Sequence, residues 1–284
     1  MVQSISGAFL YYGRAVDPTI LPALTDIASA QSKPTEHTMQ ACHMLMNYLY
    51  TFPNAKIRFS KSNMILYVDS DAAYLVLPQA RSRIAGHFAL GDIPPKYPLV
   101  PNPTHPANGP LLTICRRLRN VVSSAAEAET GAAFLNSQAA IPILRTLAIL
   151  GHPQPPDGTP FKMDNAVTNG FIHSNIRQKR SKHWDMRYHW MRNKEALKLF
   201  RYYWAKGSDN NANYFTKHHP PSIHRKMRPQ YILKNNILVE KIFHVCQHAF
   251  FPPKGRIKQH VRGCVAVPIS NSTEVPRACY DVTQ

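Results

Sequence analysis

The amino-acid sequence predicts an α/β domain built on a mixed β-sheet. Three strand-like runs come first, at 64–68, 84–90 and 111–118, and stretches of helical and strand character alternate after them. Such alternation is typical of a sheet flanked by helices, and the early run of strands adds antiparallel pairs. The chain has 284 residues, of which 44% are hydrophobic. It is therefore long and apolar enough to bury the core of one large domain or two small ones.

The first elements follow from hydrophobic spacing and from turn residues. Residues 31–50 are predicted to form a helix, because apolar side chains recur there at i, i+3, i+4 and i+7. Pro34-Thr35 suits the start of this helix, and Pro53-Asn54 suits its end. The run at 64–68 (MILYV) is predicted to be a short strand that ends in Asp69-Ser70-Asp71.

The later elements alternate along the chain. Ser123-Ser124 is predicted to cap an alanine-rich helix that carries Glu127 and Glu129. After it we expect strands at 161–163 and 200–204, a helix at 185–199 and a last helical turn at 211–217. Residues 222–284 carry ten Lys and Arg against three Asp and Glu. The chain is therefore divided into a helical N-terminal segment (1–60), an α/β domain (61–221) and a basic C-terminal tail (222–284).

The charge balance indicates the class of partner. There are 34 Lys and Arg against 16 Asp and Glu, a formal net charge of +18. A charge of this size favours nucleic acid, and an anionic membrane surface less strongly. No apolar run approaches the about 18 residues of a spanning helix, because Arg145 interrupts the nearest one at 139–150. We therefore expect no membrane partner.

Targeting signals and cysteines predict the compartment. No basic region precedes the short apolar patch at the N-terminus, so no signal peptide is predicted. The five cysteines are scattered along the chain, which argues against a disulfide framework. An intracellular location is expected.

Acidic side chains at element ends are the most informative polar residues of so basic a chain. Asp71 is predicted to close one strand and Asp164 another, with Glu129 on a helix between them. Strand ends of open α/β sheets are where sites usually form, and converging carboxylates supply the oxygen ligands that Mg²⁺ prefers. Two ions about 3.5–4 Å apart would activate a water and stabilise the leaving oxygen of a phosphodiester. Taken singly, each acid fits a surface or capping role better, but as a set in a chain with a net charge of +18 they favour the site.

The choice between neighbouring acids depends on geometry. Glu127 and Glu129 are about 200° apart on a helix, so only one of them faces the sheet. The i±3 and i±4 neighbours of Glu129 are all alanines, a small-residue face that packs close to a sheet. Glu127 shares its side with polar residues and Thr130, which predicts the outer side. Asp69 and Asp71 lie two residues apart on a strand and are expected to point to one face.

Five ordered motifs between residues 64 and 220 match one known family. They are SDA (70–72), SSAAEAE (123–129), MDN (163–165), RSKHWDMRYH (180–189) and GSDNNANYFTK (207–217). This set resembles the C-terminal ribonuclease H domain of copia-type LTR retrotransposon Pol polyproteins. Upstream, DPTI (17–20) and PTEH (34–37) resemble the segment that follows the polymerase palm in that family.

The resemblance implies a ribonuclease H-like fold, with a five-stranded mixed sheet flanked by helices. It also implies hydrolysis of the RNA strand of RNA–DNA hybrids with Mg²⁺, or with Mn²⁺ as the alternative ion. Motif by motif, Asp71, Glu129 and Asp164 become metal ligands, and Asn213 takes the fourth catalytic position. Asn213 departs from the family, which has Asp there. The rest of a Pol polyprotein becomes a candidate partner, in a cytoplasmic particle or the nucleus.

Basic and aromatic residues interleave at 177–194, which suits a surface that follows a nucleic-acid backbone. Four basic residues are predicted to face the substrate: Arg177, Lys179, Arg180 and Lys182. The alternative is that the aromatic side chains are core and the charges are solvated; we expect both in part, with Trp190 inside and residues 177–182 toward the substrate. His and Cys residues between 246 and 264 would suit zinc, but their spacing is not a standard one.

Three functions remain open at this point. The first is an active metal-dependent ribonuclease H, and the second is a decayed domain that binds nucleic acid without cutting it. The third is a non-catalytic scaffold that uses its basic tail on RNA. Asn213 is a feature that favours the second, and the active ribonuclease H is the function that we predict.

Overall fold

The computed structural model describes residues 1–93, 108–173 and 185–233. In chain order its helices and strands are α1 (Val2–Ala15), α2 (Leu21–Ser29), α3 (Glu36–Thr51), β1 (Ile65–Leu77), β2 (Arg81–Gly91), β3 (Pro110–Arg117), α4 (Ala125–Ile149), β4 (Thr159–Met163), α5 (Ala166–Ile172), α6 (Asp185–Ala196), β5 (Phe200–Trp204), α7 (Asn213–Thr216) and α8 (Pro221–Met227). Single 3₁₀ turns precede α2 and α7 and follow α8.

The strands form one sheet in the order β3-β2-β1-β4-β5. The pairs β1–β2 and β2–β3 are antiparallel, whereas β1–β4 and β4–β5 are parallel. Because parallel neighbours need a crossover connection, α4 links the antiparallel half of the sheet to the parallel half. The predicted fold class, an α/β domain with a five-stranded mixed sheet flanked by helices, is confirmed.

Helix α4 packs along β1 and β2 and closes the main core. Its alanine-rich stretch lies close to the sheet, and the core behind it consists of apolar side chains of both layers, among them Leu66, Val68, Phe88, Ala133, Ala140, Leu144, Phe161 and Phe200. With 25 residues, α4 is the one helix of the described ranges long and apolar enough to cross a membrane by length and composition. Its packing on the sheet is that of a core helix.

Strand β1 is longer than the sequence predicts. The expected strand ends at Asp69–Asp71, but β1 continues to Leu77, which pairs with Arg81 of β2. The prediction that Asp71 closes a strand is therefore wrong for β1 itself, because the antiparallel ladder with β2 carries the chain onward. On its other side β1 pairs with β4, and that strand ends at Met163. Asp71 thus lies beside the end of its neighbour.

The helical N-terminal segment and the start of the predicted tail both pack on the sheet domain. Helices α1–α3 bury their own apolar cluster, and α2 also contacts β3 and α7. Beyond the predicted boundary at 221, Arg228 pairs with buried Asp17 at 3.4 Å. Tyr231 is buried against Tyr214 and Phe215. The described residues therefore show no break in packing at 221, and the tail beyond 233 lies outside them.

Candidate metal centre

Three carboxylates from three different elements meet at one point. Asp71 comes from the middle of β1, Glu129 from the second turn of α4, and Asp164 directly follows β4. One oxygen of each lies within 4.8 Å of the other two. Asp71 is 2% exposed and Glu129 is 5% exposed, while Asp164 is half-buried. The structure therefore brings together the three acids that the sequence predicts as metal ligands.

The sheet register positions the two aspartates. Asp69 of β1 lies opposite Lys162 of β4 in the parallel pair, and two residues further along each chain come Asp71 and Asp164. Side chains two apart on a strand point to the same face. The indole N–H of Trp204 donates to the Asp164 carbonyl at 2.9 Å, which holds the chain where β4 ends.

Hydrogen bonds at the start of α4 show that its two glutamates have different roles. Glu127 accepts hydrogen bonds from the backbone N–H and the hydroxyl of Ser123 at 2.6 and 2.8 Å, so it caps the helix. Glu129 Oε1 accepts from the backbone N–H of Ala72 at 3.0 Å and thus reaches the cluster. Thr130, predicted on the outer side with Glu127, is buried because Thr168 of α5 covers it.

Burial and mutual repulsion make it costly for Asp71, Glu129 and Asp164 to carry negative charges together. Burial and the nearby charge of Asp164 raise the pKa of Asp71 to about 7, although the Thr216 hydroxyl and Lys217 lower it. Burial, Asp71 and Asp164 raise the pKa of Glu129 well above its ordinary value. Burial and the neighbouring acids thus disfavour the charged form of both carboxylates.

An orphaned oxygen tests whether a divalent ion suits these residues. Glu129 Oε2 is buried and, among the described residues, receives no hydrogen bond. A buried carboxylate oxygen without a partner is costly, and a cation would satisfy it. Three carboxylates also form the oxygen-rich, anionic donor set that Mg²⁺ and Mn²⁺ prefer. The residues present therefore fit such an ion.

Asn213, the predicted fourth position, lies at the start of α7 beside Asp164. A Cβ atom on Gly207 would lie 3.0 Å from Asp164 Oδ2 and 4.0 Å from Nδ2 of Asn213, so the loop at Gly207 packs closely against the Asp164 carboxylate. The amide nitrogen of Asn213 donates to the Gly207 carbonyl at 3.2 Å. Its amide oxygen accepts from the Lys217 ammonium. The side chain is thus engaged with its own loop.

Three further residues shape the site without having been predicted to do so. The Thr216 hydroxyl donates to Asp71 Oδ2, and Lys217 places a positive charge near Asp71. Lys162 is buried and lies 3.4 Å from Asp69. Thr216 and Lys217 lie inside the motif at 207–217, which was the one signal available for them, but their residue types alone indicate no role.

Asp69 has a different role from Asp71. Besides Lys162, it accepts a hydrogen bond from the backbone N–H of Asn211 at 3.0 Å. Asn210 donates from its side chain to the Ser70 carbonyl at 2.8 Å. Together these contacts fasten the loop before α7 to β1, and Asp69 lies outside the group of three acids.

The four basic residues that the sequence predicts as nucleic-acid contacts lie outside the described residues. Arg177, Lys179, Arg180 and Lys182 all fall between 174 and 184. The His and Cys residues of the tail between 246 and 264 likewise lie beyond residue 233.

Comparison with known proteins finds distant similarities to solved structures, two of which are described below. No protein-family model matches the sequence, and no curated protein matches it. An N-terminal RNase H domain from Mycobacterium tuberculosis, solved as a fusion with maltose binding protein, matches with a TM-score of 0.36 and 9% identity over 54% of this chain and 91% of that chain. RNase H1 from Halobacterium salinarum matches with a TM-score of 0.35 and 8% identity, over 53% and 92%. At scores this low, the fold assignment depends on the sheet order and register.

Proposed function

We propose that this protein is a metal-dependent nuclease that hydrolyses the RNA strand of RNA–DNA hybrids and derives from a retrotransposon Pol polyprotein. The observation that carries the proposal is the meeting of Asp71, Glu129 and Asp164, with Glu129 Oε2 buried and unsatisfied. The five ordered motifs support the copia-type origin, and the net charge of +18 supports a polyanionic substrate.

Each buried carboxylate offers one oxygen to a cation. Thr216 occupies Oδ2 of Asp71, and the Ala72 amide occupies Oε1 of Glu129. Glu129 Oε2 is the oxygen that accepts no hydrogen bond from the described residues, and Asp164 adds a half-buried carboxylate to the group. A bound divalent ion supplies Lewis-acid stabilisation of charge that develops on a phosphoryl oxygen.

The substrate surface and the compartment complete the proposal. Arg177, Lys179, Arg180 and Lys182 would contact the phosphates of the hybrid, because they precede α6 in the most basic and aromatic part of the domain. A Pol origin favours a cytoplasmic particle or the nucleus as the location, with the rest of the polyprotein as partner.

The direct test is cleavage of a labelled RNA–DNA hybrid by the purified full-length protein with Mg²⁺ or Mn²⁺. We expect cuts in the RNA strand of the hybrid and none in matched RNA or DNA duplexes, and we expect EDTA to stop the reaction. Binding of the hybrid without cleavage in either metal would contradict the enzyme and support a nucleic-acid-binding module that has lost its activity. Asn213 and its contact with Lys217 are the observations that favour this second candidate.

Asn213→Asp is expected to lower the Mg²⁺ concentration for half-maximal cleavage by about tenfold. The new carboxylate adds negative charge beside Asp164, and a charge at a few ångströms in a partly buried site changes ion binding by more than 1 kcal/mol. Lys217 would pair with part of that charge, which limits the gain.

Asn47→Asp is the matched control for this prediction. Asn47 is exposed on α3, which packs on α1 and α2, so the same Asn-to-Asp change adds an equal charge on an element that holds none of the three acids. We expect its Mg²⁺ dependence to equal that of the wild type. An equal gain in both variants would show a general charge effect and would remove the special role of position 213.

A further inference from the structure

Arg83 of β2 connects the N-terminal helical segment to the turn that contacts the metal centre. It is one of the largest fully buried side chains of the described residues and is only 1% exposed. Its Nη2 pairs with Asp26 of α2, and its Nη1 lies 3.5 Å from the Thr216 carbonyl, to which it donates. A single guanidinium therefore joins α2, β2 and α7.

Helix α2 contacts the same turn at two further points. The second oxygen of Asp26 lies 2.6 Å from His218 Nε2, just after α7. The Thr25 hydroxyl donates to the Cys115 carbonyl at 3.0 Å, and the Cys115 thiol donates to the Phe215 carbonyl at 3.2 Å. Residues 215, 216 and 218 are thus each held, directly or through one residue, by α2.

Helix α7 needs such support because it has only four residues. A single helical turn is not stable by itself and takes its position from tertiary contacts. Its last residue, Thr216, donates its hydroxyl to Asp71 Oδ2. A shift of the Thr216 backbone would withdraw that hydroxyl and free Asp71 to turn away from Glu129 and Asp164.

We propose that Arg83 is a positioning residue for the metal centre, acting through Thr216 on Asp71. Asp26 anchors Arg83, so the helical segment that precedes the sheet domain is part of the working nuclease. This inference rests on the proposed function of the three acids. The competing explanation is that the pair of Arg83 and Asp26 only stabilises the contact between the two parts of the fold.

A double-mutant cycle separates the two explanations, because only a residue that acts through Thr216 shows coupling with it. The full-length variants are Arg83→Met, Thr216→Val and the double substitution, with Mn²⁺ affinity measured by calorimetry and cleavage measured beside it. We expect each single variant to bind Mn²⁺ about tenfold more weakly. In the Thr216→Val background, Arg83→Met should cause no further loss. Arg81→Met is the control, since Arg81 lies on the same strand but donates to the Arg119 carbonyl.

The outcomes are distinguishable. Losses that add up in the double variant, or a wild-type Mn²⁺ affinity in Arg83→Met, overturn the positioning role and leave the proposed function standing. A wild-type protein that binds no Mn²⁺ and cuts no hybrid overturns the proposed function and the positioning role together.

If Arg83→Met does not fold, Asp26→Asn takes its place, because it keeps the arginine and removes its anchor. For Asp26→Asn we expect Mn²⁺ affinity about threefold lower than that of the wild type, and no such loss in the Thr216→Val background. An unchanged Mn²⁺ affinity in Asp26→Asn overturns the proposal.

Discussion

Asp71→Asn is expected to reduce cleavage of an RNA–DNA hybrid by about 100-fold or more, and Glu129→Gln should have a similar effect. Each substitution removes a charge from the three proposed metal ligands, and metal ions contribute several kcal/mol to catalysis of this kind. Both substitutions keep the side-chain shape, and both remove charge repulsion between buried groups. The variants should therefore fold at least as stably as the metal-free wild type, which circular dichroism and thermal melting would check.

Glu127→Gln is the matched control for these two variants. Glu127 lies two residues before Glu129 on the same helix, but its carboxylate accepts a hydrogen bond from the backbone N–H of Ser123 at the start of that helix. We expect cleavage close to that of the wild type and a small loss of stability from the weaker cap. Normal cleavage by Glu129→Gln together with inactive Glu127→Gln would contradict the assignment of Glu129 to the metal centre.

Asp71 is expected to contribute increasing stability to the metal-free protein as the pH falls from 8 to 5. The pKa of Asp71 is raised from its ordinary 3.8 to about 7 in the folded state. Between these two values the folded state binds the proton and the unfolded state does not, so lowering the pH favours folding. The contribution of Asp71 across this range is roughly 2–3 kcal/mol in the free energy of unfolding. The pKa of Glu129 is raised as well, so Glu129 adds to the effect in the same direction.

Urea unfolding in EDTA at several pH values would measure this effect. Burial lowers the pKa values of His219 and His224, which acts in the opposite direction as the pH falls, so the quantity of interest is the difference between the wild type and Asp71→Asn. That difference should shrink as the pH falls, because protonation relieves the same charge that the substitution removes. Saturating Mg²⁺ should reverse the trend in the wild type, since the ion competes with protons for the carboxylates. A constant difference from pH 8 to 5 would show that Asp71 is not buried with a raised pKa.

Local patterns along the chain predicted much of the fold and the candidate ligands. The helix at 36–51 follows apolar side chains at helical spacing, and α4 begins at its Ser124 cap. The strand at 200–204 has the predicted bounds. Glu129 could be distinguished from Glu127 because the two point to different sides of one helix. Each of these features depends on residues a few positions apart, which a sequence displays directly.

Only the tertiary structure decided how far β1 runs and what surrounds the acids. Asp71 lies within a strand because β2 continues to pair with β1 as far as Leu77. The residues of one strand do not show which other strand will pair with it. The contacts from Thr216 to Asp71 and from Arg83 to Asp26 join residues 145 and 57 positions apart. No local spacing encodes such contacts, because they form only when the crossover and the N-terminal helices have brought distant segments together. The sequence by itself thus determined which acids meet, whereas their support by α7, β2 and α2 is a property of the folded chain.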